Sequence, residues 1–250
     1  LAPEEINAKQ VARLELYAGP IPDEKVILER DGDAWRAASH YNAPVNTDTV
    51  NEFLEKVVKV KGEFRTTAEG ERLDPYSLGD DQAFHVLAYK SGASDPAIHV
   101  LVGKAPNFRT VFMRQAGDNR VFVEAVNLRQ DAGLYGDDFD RAPTPDKWVN
   151  KDVLKLDKEK INKIALTMPD KKLLFEKREK PRPEQETDET GDEDDAQQPE
   201  PPVEYEWVLA SGGPGGAHKE SGLSSLLQRF SALMANTVVD PEKKAEWGLD

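Results

Sequence analysis

The chain has 250 residues, 47 of them Asp or Glu against 33 Lys or Arg, for a formal charge of −14, and it contains no cysteine. The acidic balance speaks against a nucleic-acid binder, which needs net or clustered positive charge to grip phosphates. The missing cysteines exclude disulfide frameworks, thiolate metal sites, iron–sulfur clusters and thiol catalysis. With 38% hydrophobic residues there is apolar material for one large domain or two smaller ones.

Taken in order, the chain starts at Leu1 and soon reaches a strand-like segment, Arg13-Leu14-Glu15-Leu16. We therefore expect a piece upstream to have been removed. No apolar run approaches the roughly 18 to 20 residues needed to span a bilayer. KVILERDGDAWRAA around Trp35 reads as a hairpin turning at Asp31-Gly32-Asp33, where Gly accepts a positive φ. Phe53, Leu54, Val57, Val58, Val60 and Phe64 then follow a 3.6-residue period, with Asp48 placed to cap the helix. An aromatic turn follows at Asp74-Pro75-Tyr76-Ser77-Leu78-Gly79. Four strands are expected next, at Phe84 to Lys90, Ile98 to Val102, Thr110 to Gln115 and Val121 to Val126, the last two joined by a turn at Gly117-Asp118-Asn119.

Beyond a connector at residues 146–160 the pattern recurs. KLLFEK and YEWVLA, the latter bearing Trp207, read as a second hairpin. Leu223, Leu226, Leu227, Phe230, Leu233 and Met234 mark a second helix led by Ser221, and Glu246-Trp247-Gly248-Leu249-Asp250 gives a second aromatic turn. Trp35 to Trp207 is 172 residues, Phe53 to Leu226 is 173 and Tyr76 to Trp247 is 171. Such constant spacing is what an internal duplication produces. The second copy lacks the strands that follow Tyr76 in the first, so we expect a partial second unit or a natural chain that continues past Asp250. Glu184 to Glu204, between the two strands of the second hairpin, holds ten acidic residues and no Lys or Arg. Without it the other 229 residues carry only −4. Its charge and its single large apolar residue, Val203, predict a disordered loop inserted at a hairpin tip.

Chemistry-bearing patterns are few. The acidic run departs from a calcium-binding loop, since the sixth residue from Asp188 is Glu193 where that loop requires Gly. In the run Gly212 to Lys219 the Lys follows His218 and precedes Glu220, against the phosphate-loop pattern. There is no Gly-x-Ser-x-Gly elbow. Asp80-Asp81 and Asp137-Asp138 stand beside Gly, as turn-fixing residues do. If the hairpin holding His85 and His99 turns midway between Ser91 and Pro96, His85 faces Val102 and His99 faces Ala88. The two imidazoles are then roughly 10 Å apart, too far for one ion. No catalytic, cofactor or metal residue is assigned. Trp35, Trp148 and Trp207 could form a sugar-binding face, but their placement favours packing in a core.

The order of these segments resembles a bacterial family, the domain of unknown function 4340. The resemblance rests on VILERDGDAWRA, Asn46-Thr47-Asp48 leading a helix, the Tyr-Ser-Leu-Gly turn, VLVGKAPNFRTVFMRQAGDNRVFVEAVNL and the Trp-led stretch KWVNKDVLKLDKEKINKIALT. It implies an envelope protein with one N-terminal membrane helix and an extracytoplasmic (periplasmic) body, encoded beside gliding-motility-type ABC transporter components. It carries over no catalytic residue.

The expected fold is α+β, mostly antiparallel sheets with one amphipathic helix per unit. Residues 1–145 form the first unit and 161–250 a partial second one. The expected function is that of a non-enzymatic envelope module working through protein partners, among them ABC transporter components. Its membrane contact is made only by an anchoring helix outside this chain. The alternatives are a small-ligand or glycan-binding protein with a site between the units, lined by Trp148 or Tyr135, and a hydrolase of another type.

Overall fold

A computed structural model describes residues 1–3, 5–136, 138–180, 203–212 and 220–248, with the side chain of Glu220 excepted. Most of the expected acidic loop and of the glycine-rich run therefore lies outside the described residues. The chain divides into two units, Leu1–Lys151 with Asn236–Asp250, and Asp152–Ala235. These bounds differ from the expected ones. Trp148 reaches back to the start of the first helix, where its carbonyl accepts from Asn46 N at 2.7 Å, so the head of the connector belongs to the first unit.

The first unit contains β1 (Val11–Ala18), β2 (Val26–Asp31), β3 (Ala34–Ala37), β4 (Ala43–Pro44), α1 (Thr47–Val57), β5 (Glu63–Thr67), β6 (Phe84–Lys90), β7 (Ile98–Val102), β8 (Val111–Gln115), β9 (Arg120–Glu124) and a single-turn α2 (Leu128–Asp131). Its strands form one nine-stranded sheet in the order β4-β3-β2-β1-β6-β7-β8-β9-β5, antiparallel throughout. The architecture is α+β, with mostly antiparallel strands.

The period-2 alternation of apolar residues selects the faces. Leu14 and Leu16, Leu28, Trp35, Phe84 and Val86, Val100 and Val102, and Met113 turn to one face, where Val50, Phe53, Leu54 and Val57 of α1 cover them. Each of these large side chains, fully buried, contributes about 1.5–3 kcal/mol. On the opposite face a smaller cluster joins Leu101, Phe112 and Val121 to Leu73 and Leu78. That cluster covers only part of the face, and its uncovered part carries the polar residues described below.

Helix α1 starts at Asn46, whose Oδ1 accepts from Thr49 N, and not at Asp48, which lies in the first turn. It ends at Val57, and Phe64 is a 58% exposed residue of the unanticipated strand β5. The expected helical period ran on because Val58 and Val60 also pack against the core after the helix has ended.

The second unit contains β10 (Asp152–Lys155), β11 (Lys163–Met168), β12 (Lys171–Glu179), β13 (Tyr205–Ser211), α3 (Glu220–Ser231) and β14 (Ala232–Met234). Strands β11-β12-β13 form one antiparallel sheet, and β10 pairs with β14. Lys177 stands opposite Trp207 here as Arg30 stands opposite Trp35 in the first unit. Ser221 lies inside α3, and Leu233 and Met234 are strand residues. The two aromatic turns share a local form. Gly70–Tyr76 and Pro241–Trp247 are both 3-10 helices closed by a left-handed residue, Ser77 at φ 53° and Gly248 at φ 66°.

Candidate functional site

Two places on the first unit gather functional groups. The first is the loop between β7 and β8. It starts where Gly103 passes the carbonyl of Tyr76, an approach so close that a Cβ would lie 2.1 Å from that oxygen. Lys104 N then donates to the same carbonyl at 3.0 Å. At its far end Asn107 Oδ1 accepts from both Arg109 N (2.8 Å) and Thr110 N (3.1 Å), and Asn107 bridges to Thr110. An Asx turn of this kind fixes the backbone locally. It also lifts Phe108 out of the surface, leaving it 90% exposed with the Arg109 guanidinium 5.0 Å from the ring centre. Beside the pair runs a groove of about 310 Å³, walled by Lys56, Thr110, Asn127, Gln130 and Asp131. The Thr110 hydroxyl is buried with no hydrogen-bond partner among the described residues.

The second place is an open cleft of about 420 Å³, lined by Tyr17, Pro22, Asp80, Asp81, His85 and His99 among others. The pairing of β6 with β7 sets His85 opposite Leu101 and His99 opposite Leu87, one residue from the expected register. A one-residue slip exchanges faces. Both imidazoles thereby share the partly covered face, and His85 Nδ1 lies 2.9 Å from His99 Nε2 instead of the expected ~10 Å separation estimated from the strand rise. The sequence held a signal for this register. Phe84, Val86 and Ala88 and Ile98, Val100 and Val102 all face one core, which requires even-numbered residues to stand opposite even-numbered ones.

Hydrogen bonding fixes the tautomers. His85 Nε2 donates to the Asp80 carbonyl at 2.8 Å, so in the neutral pair His85 Nδ1 must accept from His99 Nε2–H. Tyr17 stacks on His85 at 4.4 Å and 10°, and the buried Arg114 holds the turn beneath, donating to the Leu78 carbonyl (2.7 Å) and to Asp80 Oδ1 (2.5 Å). Burial, and next the neighbouring His85, push the His99 pKa down to about 4. Burial also lowers that of His85, against the opposing pull of the Asp80 carbonyl. No third His, Asp or Glu completes a metal cluster among the described residues.

The residues singled out from the sequence fall elsewhere. Trp35 and Trp148 are 1% and 0% exposed and belong to one core, so Trp148 is a packing residue and not a pocket wall. Tyr135 is 66% exposed in the loop after α2, outside the walls of both places. Tyr76 is half-buried, edge-on to Phe112 at 4.9 Å, Trp207 is half-buried in β13, and Trp247 is exposed. The Phe108 loop was not anticipated as a site, because a lone aromatic between Asn and Arg looks the same whether it packs or protrudes.

An antiparallel α+β domain with a pinned, protruding aromatic loop is the class that this geometry defines. The chain belongs to the family described as Domain of unknown function (DUF4340), whose model matches residues 35–250. Neither a curated protein nor a solved structure matches it.

Proposed function

We propose that this chain is a non-enzymatic, extracytoplasmic module of a cell-envelope assembly that works by binding protein partners. The observation that carries the reading is Phe108. Placing a large aromatic side chain in water wastes about 1.5–3 kcal/mol of burial, and the Asn107 turn holds it there. Aromatic residues and Arg are enriched where protein interfaces bury their centres. The family resemblance favours ABC transporter components as the partners and an N-terminal helix as the membrane anchor of the full-length protein. Among the described residues no helix is long and apolar enough to cross a membrane.

The test is chemical crosslinking and recovery of the tagged full-length protein from native membranes, with Phe108→Ala alongside. An envelope protein recovered with the wild type and lost with the variant is the expected result. Equal recovery by both, or no envelope protein at all, would sink the reading.

A further inference from the structure

We propose that the loop bearing Phe108 and Arg109 docks an acidic segment of its partner, an apolar or aromatic side chain packing on the Phe108 ring while an adjacent carboxylate pairs with Arg109. This rests on the protein-contact reading above and adds the chemistry of the partner.

Charge decides it. The molecule as a whole carries −14, yet the groove beside Phe108 has a positive surplus. Its walls hold Lys56, Arg109 and Asp131, and Lys56 and Asp131 satisfy one another at 2.7 Å. Arg109 makes no ion pair among the described residues, and its contact is the face of Phe108. The unpaired charge and the exposed ring are thus presented as one unit. A guanidinium beside an apolar platform matches a carboxylate next to an apolar side chain, and its planar fork can donate two parallel hydrogen bonds to that carboxylate. A basic segment would instead meet Arg109 with like charge while desolvating both, which costs several kcal/mol. The groove adds a further polar group for an acidic ligand in the Gln130 side chain. Because Asn107 already fixes the loop, docking requires little further ordering there.

The experiment places the photocrosslinking residue p-benzoylphenylalanine at position 108 of the full-length protein in native membranes. The crosslinked peptide is then identified by mass spectrometry. The expected product is a protein segment with Asp or Glu within a few residues of the crosslink. Its yield should fall with added salt, drop about tenfold or more in Arg109→Glu and largely persist in Arg109→Lys. A crosslink to a segment that is basic or lacks acidic residues, or an undiminished yield in Arg109→Glu, overturns the inference and leaves protein contact standing. Crosslinks to lipid alone, or none, overturn both. Unchanged thermal melting of each variant shows that the loss arises at the surface, as the exposure of both side chains leads one to expect.

Discussion

Each unit carries an antiparallel strand pair with a Trp, and the two bury different amounts of apolar surface. Among the described residues, all but two of the buried apolar side chains belong to the first unit, the exceptions being Phe175 and Leu223. In the first, α1 lies on a broad sheet and buries four side chains. In the second, β11-β12-β13 is narrow, and α3 carries half-buried and exposed apolar residues such as Phe230, 52% exposed. A hairpin with a Trp is therefore not a domain by itself; stability follows the apolar area that a helix and neighbouring strands can cover.

Truncating the same kind of side chain in each unit tests this difference most severely. Trp148 is fully buried and meets Phe53 edge-on at 5.1 Å, so Trp148→Ala should cost about 3–5 kcal/mol in chemical denaturation. Phe175→Ala should cost clearly less. In hydrogen exchange its effect should stay within Asp152–Ala235, whereas Trp148→Ala should expose amides across the nine-stranded sheet. Equal costs would mean that the second unit is held as firmly as the first.

Next in size is Arg114. Its side chain is 5% exposed, and replacing it with Leu leaves the Leu78 carbonyl without its charged donor. The cost should be about 1–3 kcal/mol. Arg114 also lowers the pKa values of both imidazoles across the cleft, so the variant should titrate both at higher pH in NMR spectra. Stability loss without that displacement would show that the guanidinium serves the turn alone.

These residues also show what could be read in advance. Hairpins, strands and the α+β class were legible because apolar alternation and glycine turns are local signals. The helix start was misplaced by two residues because Asn46 and Asp48 are both good capping types, and only the backbone course selects between them. The histidine pair was missed by a single step of register, although the even-numbered apolar residues on both strands specify it. Phe108 lay beyond reach for a different reason. The Asn107 turn that holds it outward is local, but the strands and the Tyr76 carbonyl between which the loop is anchored come from segments far apart in sequence.

A smaller effect concerns acid. The His99 pKa lies at about 4 in the folded chain against an ordinary 6.5, so between those values the unfolded chain binds the extra proton more readily. The contribution is complete above about pH 6.5, is lost as pH falls towards 4 and changes no further below that. His99 is only half-buried, and with solvent screening the loss should be of the order of 1 kcal/mol. Subtracting the pH profile of His99→Gln from that of the wild type isolates it. A flat difference between pH 7 and 4 would mean that the imidazoles separate and hydrate at little cost.

The smallest expected effect on stability is also the one most diagnostic of function. Phe108 is 90% exposed, and removing its ring subtracts almost no buried area, so Phe108→Ala should change unfolding free energy by less than about 0.5 kcal/mol. Asn107→Ala makes the complementary change. It keeps the ring and removes the acceptor for Arg109 N and Thr110 N, so the loop should exchange its amides faster while the sheet melts unchanged. If the loop exists to hold an aromatic ring outward, both variants should weaken partner recovery, Phe108→Ala by deleting the contact and Asn107→Ala by making its order costly to regain on binding. A Phe108→Ala protein clearly less stable than wild type would show instead that the ring packs against its own chain.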